Sequence, residues 1–144
     1  MKEFLENKIN PLIVVLGGGI QQTRCIRRCQ ELGFLSCCFD INKDCSGAIA
    51  ADFFYQISIK NHTEIISIVA SLKNVVAVLA PATDCGNVTA CRIANKFNLL
   101  YNSEDVGITT YYKSLMRAKI SSLGLVNPKY FTVDHEITGN LTLY

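Results

Sequence analysis

The chain has 144 residues, of which 49% are hydrophobic and 18% are charged, so we expect a well-filled globular domain rather than a disordered chain. Its net charge is only +2 and its basic residues are scattered, which excludes an electrostatic case for nucleic acid or an anionic membrane surface. The longest apolar runs, Leu12–Leu16 and Val75–Ala80, are strand-sized, whereas a membrane-spanning helix needs about 20 apolar residues. The N-terminus, MKEFLENKINP, lacks the apolar core of a secretory signal, so we expect a cytoplasmic protein.

The seven cysteines of a chain without an export signal are expected to be reduced thiols. Cys25 and Cys29 share one face of a predicted helix, and Cys37, Cys38 and Cys45 follow closely, so a metal site is one interpretation. The number of cysteines is odd, and no C-x-x-C pair occurs. We therefore favour cysteine as a small core residue and assign no metal ligand.

Short apolar runs alternate with segments of helical period, which is typical of a parallel α/β sheet. The β-branched run Leu12–Leu16 predicts a central strand, and Gly17–Gly19 ends it. The apolar positions of Ile20–Leu32 recur at helical spacing, so this segment predicts a helix. Two further strands are predicted at Phe34–Phe39 and near Asp52–Ile57.

The alternation continues through the second half of the chain. Asn61, three residues before Glu64, predicts a helix start, and Val75–Leu79 predicts a fourth strand. Thr83 or Asp84 is expected to cap the next helix. The remaining predicted elements are a short strand at Leu99–Tyr101, a helix start at Ser103, a last helix at about Thr110–Leu123 and a new strand at Lys129–Val133. This pattern predicts a Rossmann-like three-layer α/β fold with a parallel sheet of about five strands.

Three segments bring glycine or polar residues to the carboxyl edge of the predicted sheet, where open α/β sheets bind their ligands. They are Gly17–Gln22, Asp40–Lys43 and Pro81–Asp84. The glycines allow backbone to come close to a ligand, and the following helix presents free N–H groups to an anion. Asp40 can accept hydrogen bonds from hydroxyl or amine groups. The alternative is that Gly17–Gly19 forms only a tight turn.

The first of these segments partly matches a dinucleotide-binding fingerprint, because Asp40 lies 23 residues after Gly17. A G-x-G-x-x-G pattern read from Gly17 places Gln22 where a small residue normally allows close packing of helix against strand. This departure weakens the hypothesis of an NAD(P)-binding Rossmann domain of an oxidoreductase, which stays open as an alternative.

Lys113 lies in the first turn of the last predicted helix, where a cation opposes the helix dipole. A phosphate partner would account for a cation at this position. The alternative is a solvated surface lysine, since exposed lysine is the rule in folded proteins.

The order of these features resembles the opening of ATP-grasp enzymes. The resemblance is carried by the segments VVLGGGIQQTRCIRRCQELGFLSCCFDIN, ADFFYQISIKN, VVAVLAPATDCGNVTACRIANKFNLL and YKSLMRAKISSLGLVNPKYFTV. It covers about Leu12 to Val133 and is similar to the carbamoyl phosphate synthase large subunit, the purine-pathway ATP-grasp enzymes and biotin carboxylase. In this family a Rossmann-like domain ends in a helix that bears a lysine. A G-[LI]-x-x-P-x-[YF] segment, here Gly124–Tyr130, then leads into the ATP-grasp fold.

The resemblance implies that residues 1–108 form a Rossmann-like pre-ATP-grasp substrate domain. Residues 109–144 would be a linking helix and the first strand of a truncated ATP-grasp domain. Lys113 would contact an ATP phosphate, although Tyr112 precedes it where the family usually has aspartate. The residues that would surround the substrate pocket are Gly17, Gly18, Gly19, Gln21, Gln22, Asp40, Thr83 and Asp84.

The implied function is that of the N-terminal substrate-binding domain of an ATP-dependent carboxylate–amine ligase. In such enzymes ATP phosphorylates a carboxylate or bicarbonate, and an amine then displaces the phosphate from this acyl phosphate. The full-length enzyme would use ATP and Mg²⁺, whereas this fragment would bind neither tightly and would be inactive alone. The expected partners are a small carboxylate or amine substrate, the rest of the ATP-grasp chain and a second copy in a homodimer. A stand-alone small-molecule-binding module is a further alternative.

Overall fold

A computed structural model describes residues 10–130 of the chain, in which strands and helices alternate until the chain ends in consecutive helices. The strands are β1 (Leu12–Leu16), β2 (Leu35–Asp40), β3 (Phe53–Gln56) and β4 (Val75–Leu79). The helices are α1 (Ile20–Glu31), α2 (Ser46–Ala50), α3 (His62–Ser71), α4 (Asp84–Phe97), α5 (Glu104–Tyr111) and α6 (Lys113–Ser122). Between residues 10 and 130, no helix has the length and apolar character needed to cross a membrane.

The four strands form one parallel sheet in the order β3-β2-β1-β4. All five residues of β1 are buried, because this strand is paired on both edges and covered on both faces. The chain passes from β1 to β2 and β3, and then returns to place β4 on the other side of β1. The strand order therefore reverses between β1 and β4, which is where open α/β sheets form their ligand crevice.

Helices cover both faces of the sheet. On one face, Ile65 of α3 and Ile93 of α4 pack with Phe39 of β2 in the larger core cluster. On the other face, Ile26 and Cys29 of α1 pack with the remaining side of β1 and β2. These three layers confirm the predicted Rossmann-like α/β fold.

The predicted fifth strand at Leu99–Tyr101 is wrong, and the sheet of residues 10–130 has four strands rather than about five. Asn98 takes a left-handed conformation with φ of 53° and ends α4, and Leu99 donates its backbone N–H to the carbonyl of Ala94 at 2.8 Å. The Tyr101 hydroxyl donates to Asn87 Oδ1 on α4 at 3.0 Å. This segment closes the end of a helix, so its backbone does not extend the ladder beside β4.

The end of the chain also differs in detail from the prediction. The predicted helix at Thr110–Leu123 is divided at Tyr112, whose extended backbone separates α5 from α6. Lys113 is still in the first turn, as the first residue of α6. The predicted domain boundary between residues 108 and 109 falls inside α5. Of the predicted strand at Lys129–Val133, residues 131–133 lie outside the described part of the chain.

Candidate functional site

The glycine turn, defined as Gly17–Gly19, joins β1 to α1 at the carboxyl edge of the sheet. Gly17 has a φ of +95°, a conformation that L side chains rarely adopt. The backbone N–H of Gly18 donates to Asp40 Oδ2 at 2.7 Å, and Asp40 Oδ1 accepts from the N–H of Asn42 at 2.8 Å. Both oxygens of Asp40 are therefore engaged by backbone, and this residue fixes the turn against the end of β2.

The other side of the glycine turn is pressed against α2. Gly47 donates its backbone N–H to the carbonyl of Gly18 at 2.7 Å. A Cβ on Gly18 would overlap the Sγ of Cys45, and a Cβ on Gly47 would lie 2.5 Å from the Cα of Gly18. Glycine is therefore required at both positions by packing within the fold, independently of any ligand.

Gln22 bridges the crevice between β1 and β4. Its side chain is 8% exposed, and its Nε2 donates to the carbonyl of Pro81 at 2.5 Å. In dinucleotide-binding folds this position holds a small residue that lets the helix pack closely on the strand. Here the amide occupies that space and ties α1 to the segment after β4. This geometry opposes the alternative of an NAD(P)-binding domain.

The N-terminus of α1 has no side-chain cap. Gly19 is its N-cap, no acidic residue lies in the first turn, and Gln21 is exposed there. By contrast, Asn61, Thr83 and Ser103 cap α3, α4 and α5, each followed by an acidic residue in the first turn. The first N–H groups of a helix need partners outside the helix. Among these four helices, α1 therefore keeps its N-terminal N–H groups for water or an anion.

Lys113 and Asp84 form an ion pair at the start of α4. Thr83 Oγ1 accepts from the N–H of Gly86 at 3.3 Å and so caps this helix. The Lys113 Nζ lies 3.7 Å from Asp84 Oδ2, and the two side chains are 66% and 76% exposed. An exposed pair of this kind contributes at most about 1 kcal/mol. Because α4 follows the carboxyl end of β4, the pair places Lys113 at the carboxyl edge of the sheet.

The predicted site residues thus fall into two groups at this edge. Around the glycine turn, the structure joins Gly18 to Asp40 and joins Gln22 to Pro81, while Gln21 is exposed nearby. At the start of α4, it joins Asp84, which follows Thr83, to Lys113.

All seven cysteines are free thiols, and five of them are buried. Burial raises the pKa of Cys37 and of Cys38 to about 12, so both thiols are protonated near neutral pH. Between residues 10 and 130 there is no group of three or more His, Cys, Asp or Glu side chains that could hold a metal ion.

A cleft beside α4 is a second feature of the molecule, and it was not predicted from the sequence. A cleft of about 240 Å³ lies between α3, α4 and α5, and we call it the basic cleft. Its polar lining includes Lys60, His62, Arg92, Tyr111 and Tyr112. These residues come from three separate segments and belong to no local motif, so their basic and aromatic character was the sole sequence signal.

No protein-family model matches the chain, and no curated protein matches its sequence. Its fold is nevertheless found in solved structures. Phosphoribosylglycinamide synthetase from Anaerococcus prevotii is 23% identical over 80% of this chain and 29% of that chain, with a TM-score of 0.69. L-amino acid ligase from Bacillus licheniformis is 14% identical over 93% of this chain and 36% of that chain, with a TM-score of 0.68.

N5-carboxyaminoimidazole synthetase from Staphylococcus aureus, solved as a complex with ADP, is a third protein of this fold. It is 14% identical over 82% of this chain and 31% of that chain, with a TM-score of 0.65. This chain thus spans about a third of the length of each of the three proteins. The fold of this chain is thus shared with the N-terminal portion of these three proteins, which are ATP-grasp ligases.

Proposed function

We propose that this chain is the N-terminal substrate-binding domain of an ATP-dependent ligase that joins a carboxylate to an amine through an acyl phosphate. The observation that carries the proposal is the position of Lys113. The fold is shared with the N-terminal portion of ATP-grasp ligases. In it, the ammonium group of Lys113 lies 3.7 Å from Asp84 at the carboxyl edge of the sheet. A lysine at this edge is suited to hold a phosphate at the junction with a following domain.

The proposed substrate pocket is bordered by the glycine turn, Gln21, Gln22, Asp40 and Thr83 with Asp84. The uncapped start of α1 supports the binding of a carboxylate or phosphate group of the substrate there, because its N–H groups and dipole favour negative charge. Exposed Gln21 would contact the substrate, whereas Gln22 and Asp40 would hold the pocket walls in place through their bonds to Pro81 and Gly18.

ATP would supply the phosphoryl group that activates the carboxylate. Lys113 fits a phosphate ligand, because its side chain is 66% exposed and its existing contact with Asp84 is long. The described residues offer no comparable cluster of carboxylates for Mg²⁺. The magnesium ligands would therefore belong to the rest of the ligase, and this chain alone would bind neither ATP nor Mg²⁺ tightly and would be inactive.

We propose the domain division 1–108 and 109–144 on the same basis. Residues 109–144 would connect the substrate domain to the ATP-grasp body, with the boundary inside α5. The absence of any buried residue in α6 supports this role, because a connecting helix packs little on the first domain. The partners would be the small carboxylate or amine substrate, the rest of the ligase in the cytoplasm, and a second copy in a homodimer.

A titration of the ¹⁵N-labelled 144-residue chain tests the substrate pocket. Glycine, acetate and bicarbonate would be added separately, with NAD⁺ as the comparison, and amide shifts would be recorded by NMR. We expect at least one carboxylate to shift the amides of residues 19–22 in a saturable way. Gln21→Glu should weaken that ligand about 3- to 10-fold, because it adds negative charge at the start of α1.

Asn95→Asp, an equivalent change on the exposed side of α4, is the matched control and should leave the affinity unchanged. Saturable shifts at the glycine turn with NAD⁺, and none with the carboxylates, would instead support the oxidoreductase alternative and contradict the ligase proposal.

A further inference from the structure

We propose that the basic cleft is a second binding site, which takes a small phosphate monoester with a planar ring. The cleft lies on the face of the sheet that α3 and α4 cover, whereas the glycine turn packs against α2 on the opposite face. The cleft shares no residue with the glycine turn, but it reaches the start of α4 at Cys85 and the α5–α6 junction at Tyr112, beside Asp84 and Lys113. The residues that line the cleft carry this inference, whether or not the ligase proposal holds.

The charge of the cleft favours an anion. The cationic side chains of Lys60 and Arg92 line it beside the imidazole of His62. None of its lining residues within the described chain is an aspartate or glutamate, and Glu104 pairs with Arg92 from outside the lining. The ammonium group of Lys60 forms no ion pair with any residue from 10 to 130. It therefore supplies a positive charge that no carboxylate of this part of the chain offsets.

Arg92 is held in position for bidentate binding. Its Nε donates to Glu104 Oε1 at 2.7 Å, which fixes the plane of the guanidinium group on the wall of the cleft. Its two terminal nitrogens have no hydrogen-bond partner among the described residues. A guanidinium group anchored on one edge and free on the other matches the geometry of a phosphate oxygen pair.

The aromatic wall favours a ring on the same ligand. The rings of Tyr111 and Tyr112 meet edge to face with centroids 4.9 Å apart, and neither hydroxyl has a hydrogen-bond partner between residues 10 and 130. Val88 and Ile108 add apolar surface beside them. A flat ring can stack on such a wall while its phosphate reaches Lys60 and Arg92.

The size of the cleft limits the ligand. Its volume of about 240 Å³ is smaller than the roughly 300–1,000 Å³ of sites for drug-sized molecules. A single ring with one phosphate therefore fits this volume better than a dinucleotide does. Phenyl phosphate has this composition and is the probe that we choose.

The test is an NMR titration of the ¹⁵N-labelled 144-residue chain with phenyl phosphate. We expect saturable shifts of amides in residues 60–62, 88–92 and 108–112, and none at residues 17–22. Lys60→Gln should weaken binding about tenfold, since it removes one charge-assisted contact. Lys73→Gln removes an exposed lysine at the far end of α3 and should leave the affinity unchanged.

Three comparisons can overturn the proposal. Equal weakening by Lys60→Gln and Lys73→Gln would show a diffuse charge effect rather than a site. Inorganic phosphate binding as tightly as phenyl phosphate would exclude ring recognition, and the same shifts with benzyl alcohol would exclude anion recognition. Lys60 is exposed and its side chain has no partner among the described residues, so its replacement leaves folding intact, which an unchanged urea midpoint would verify.

Discussion

Asp52 organises a polar network at the amino edge of the sheet. Its Oδ2 accepts hydrogen bonds from Ser36 N at 2.8 Å, Ser36 Oγ at 2.7 Å and Gln30 Nε2 at 3.0 Å. Partial desolvation by itself would raise the pKa of Asp52, but the hydrogen bonds from Gln30 and Ser36 outweigh it and lower the pKa below its usual 3.8. The folded protein therefore favours the charged carboxylate, which links α1, β2 and the start of β3.

Replacing this carboxylate should alter the acid stability of the protein. The pKa of Asp52 is lower in the folded than in the unfolded chain, so its contribution is present above the unfolded pKa and is lost as pH falls through the folded pKa. We expect Asp52→Asn to lower the free energy of unfolding by about 1–2 kcal/mol at neutral pH, because the side chain is exposed and solvent weakens its hydrogen bonds.

Urea unfolding at about pH 7 and about pH 3 measures this effect, and the loss caused by Asp52→Asn should shrink at the lower pH. Asp44→Asn is the matched control, because Asp44 is exposed and its carboxylate has no partner among the described residues. Indistinguishable unfolding curves for the two variants would contradict the proposed role of the network.

Single side chains of the candidate site were only partly predictable from sequence. Asp40 lies at the end of β2 and Gln22 follows the glycine turn, so the sequence predicted both residues at the carboxyl edge of the sheet. Their partners are 22 and 59 positions away in the chain. Local sequence determines where a residue lies along the sheet edge, whereas the direction of its side chain depends on tertiary neighbours. The hydrogen bonds of Asp40 to Gly18 and of Gln22 to Pro81 were therefore not predicted.

At the level of whole elements, the most local signals were the most reliable. Asn61 accepts from the N–H of Glu64 and donates to its carboxylate, as the capping pattern predicted, and β1 and β4 have the predicted bounds. α2 was missed because five residues are too few to show a helical period. The short apolar run at Leu99–Tyr101 could not show that its backbone is used to close α4.

The close contact between the glycine turn and α2 gives a prediction at this scale. Gly18→Ala should lower the free energy of unfolding by about 1–3 kcal/mol, because the added methyl group overlaps the Sγ of Cys45. Cys45→Ala removes that sulfur, so the double variant should recover part of the loss. Urea unfolding of the two single variants and the double variant measures this coupling.

Gly33→Ala is the control for a purely backbone effect. Gly33 has a φ of +87°, and no atom lies within 4 Å of the position of its missing Cβ. Its replacement should destabilise the protein to the same extent with or without Cys45. If Cys45→Ala did not reduce the destabilisation caused by Gly18→Ala, the steric explanation for Gly18 would be wrong.

For the molecule as a whole, burial is concentrated in the sheet and falls toward the end of the described chain. β1 is buried throughout, whereas α6 has no buried residue. α5 is intermediate: Gly107 packs against Cys91 of α4, and Glu104 pairs with Arg92 of the same helix. The cooperative core should therefore include α5 but not α6.

Two shortened chains test whether the cooperative core includes α5 and excludes α6. A chain that ends at Tyr112 should keep its melting temperature within about 3 °C of the 144-residue chain, because it loses no buried residue between 113 and 130. A chain that ends at Asn102 also loses α5 and should melt at least about 5 °C lower, because Cys91 and Arg92 lose their partners. Circular dichroism would follow both transitions, and equal melting temperatures for the two chains would refute the division.

The hydrogen bond from Gln22 to Pro81 spans 59 positions of the chain. Closing so long a loop costs conformational entropy, which is recovered only when β4 docks beside β1. The crevice should thus form late in folding. On the ribosome, a nascent chain contains only the β1 wall of the crevice until β4 has emerged. A ligand that contacts both walls could therefore assist only the final step of assembly, since no earlier intermediate contains both walls.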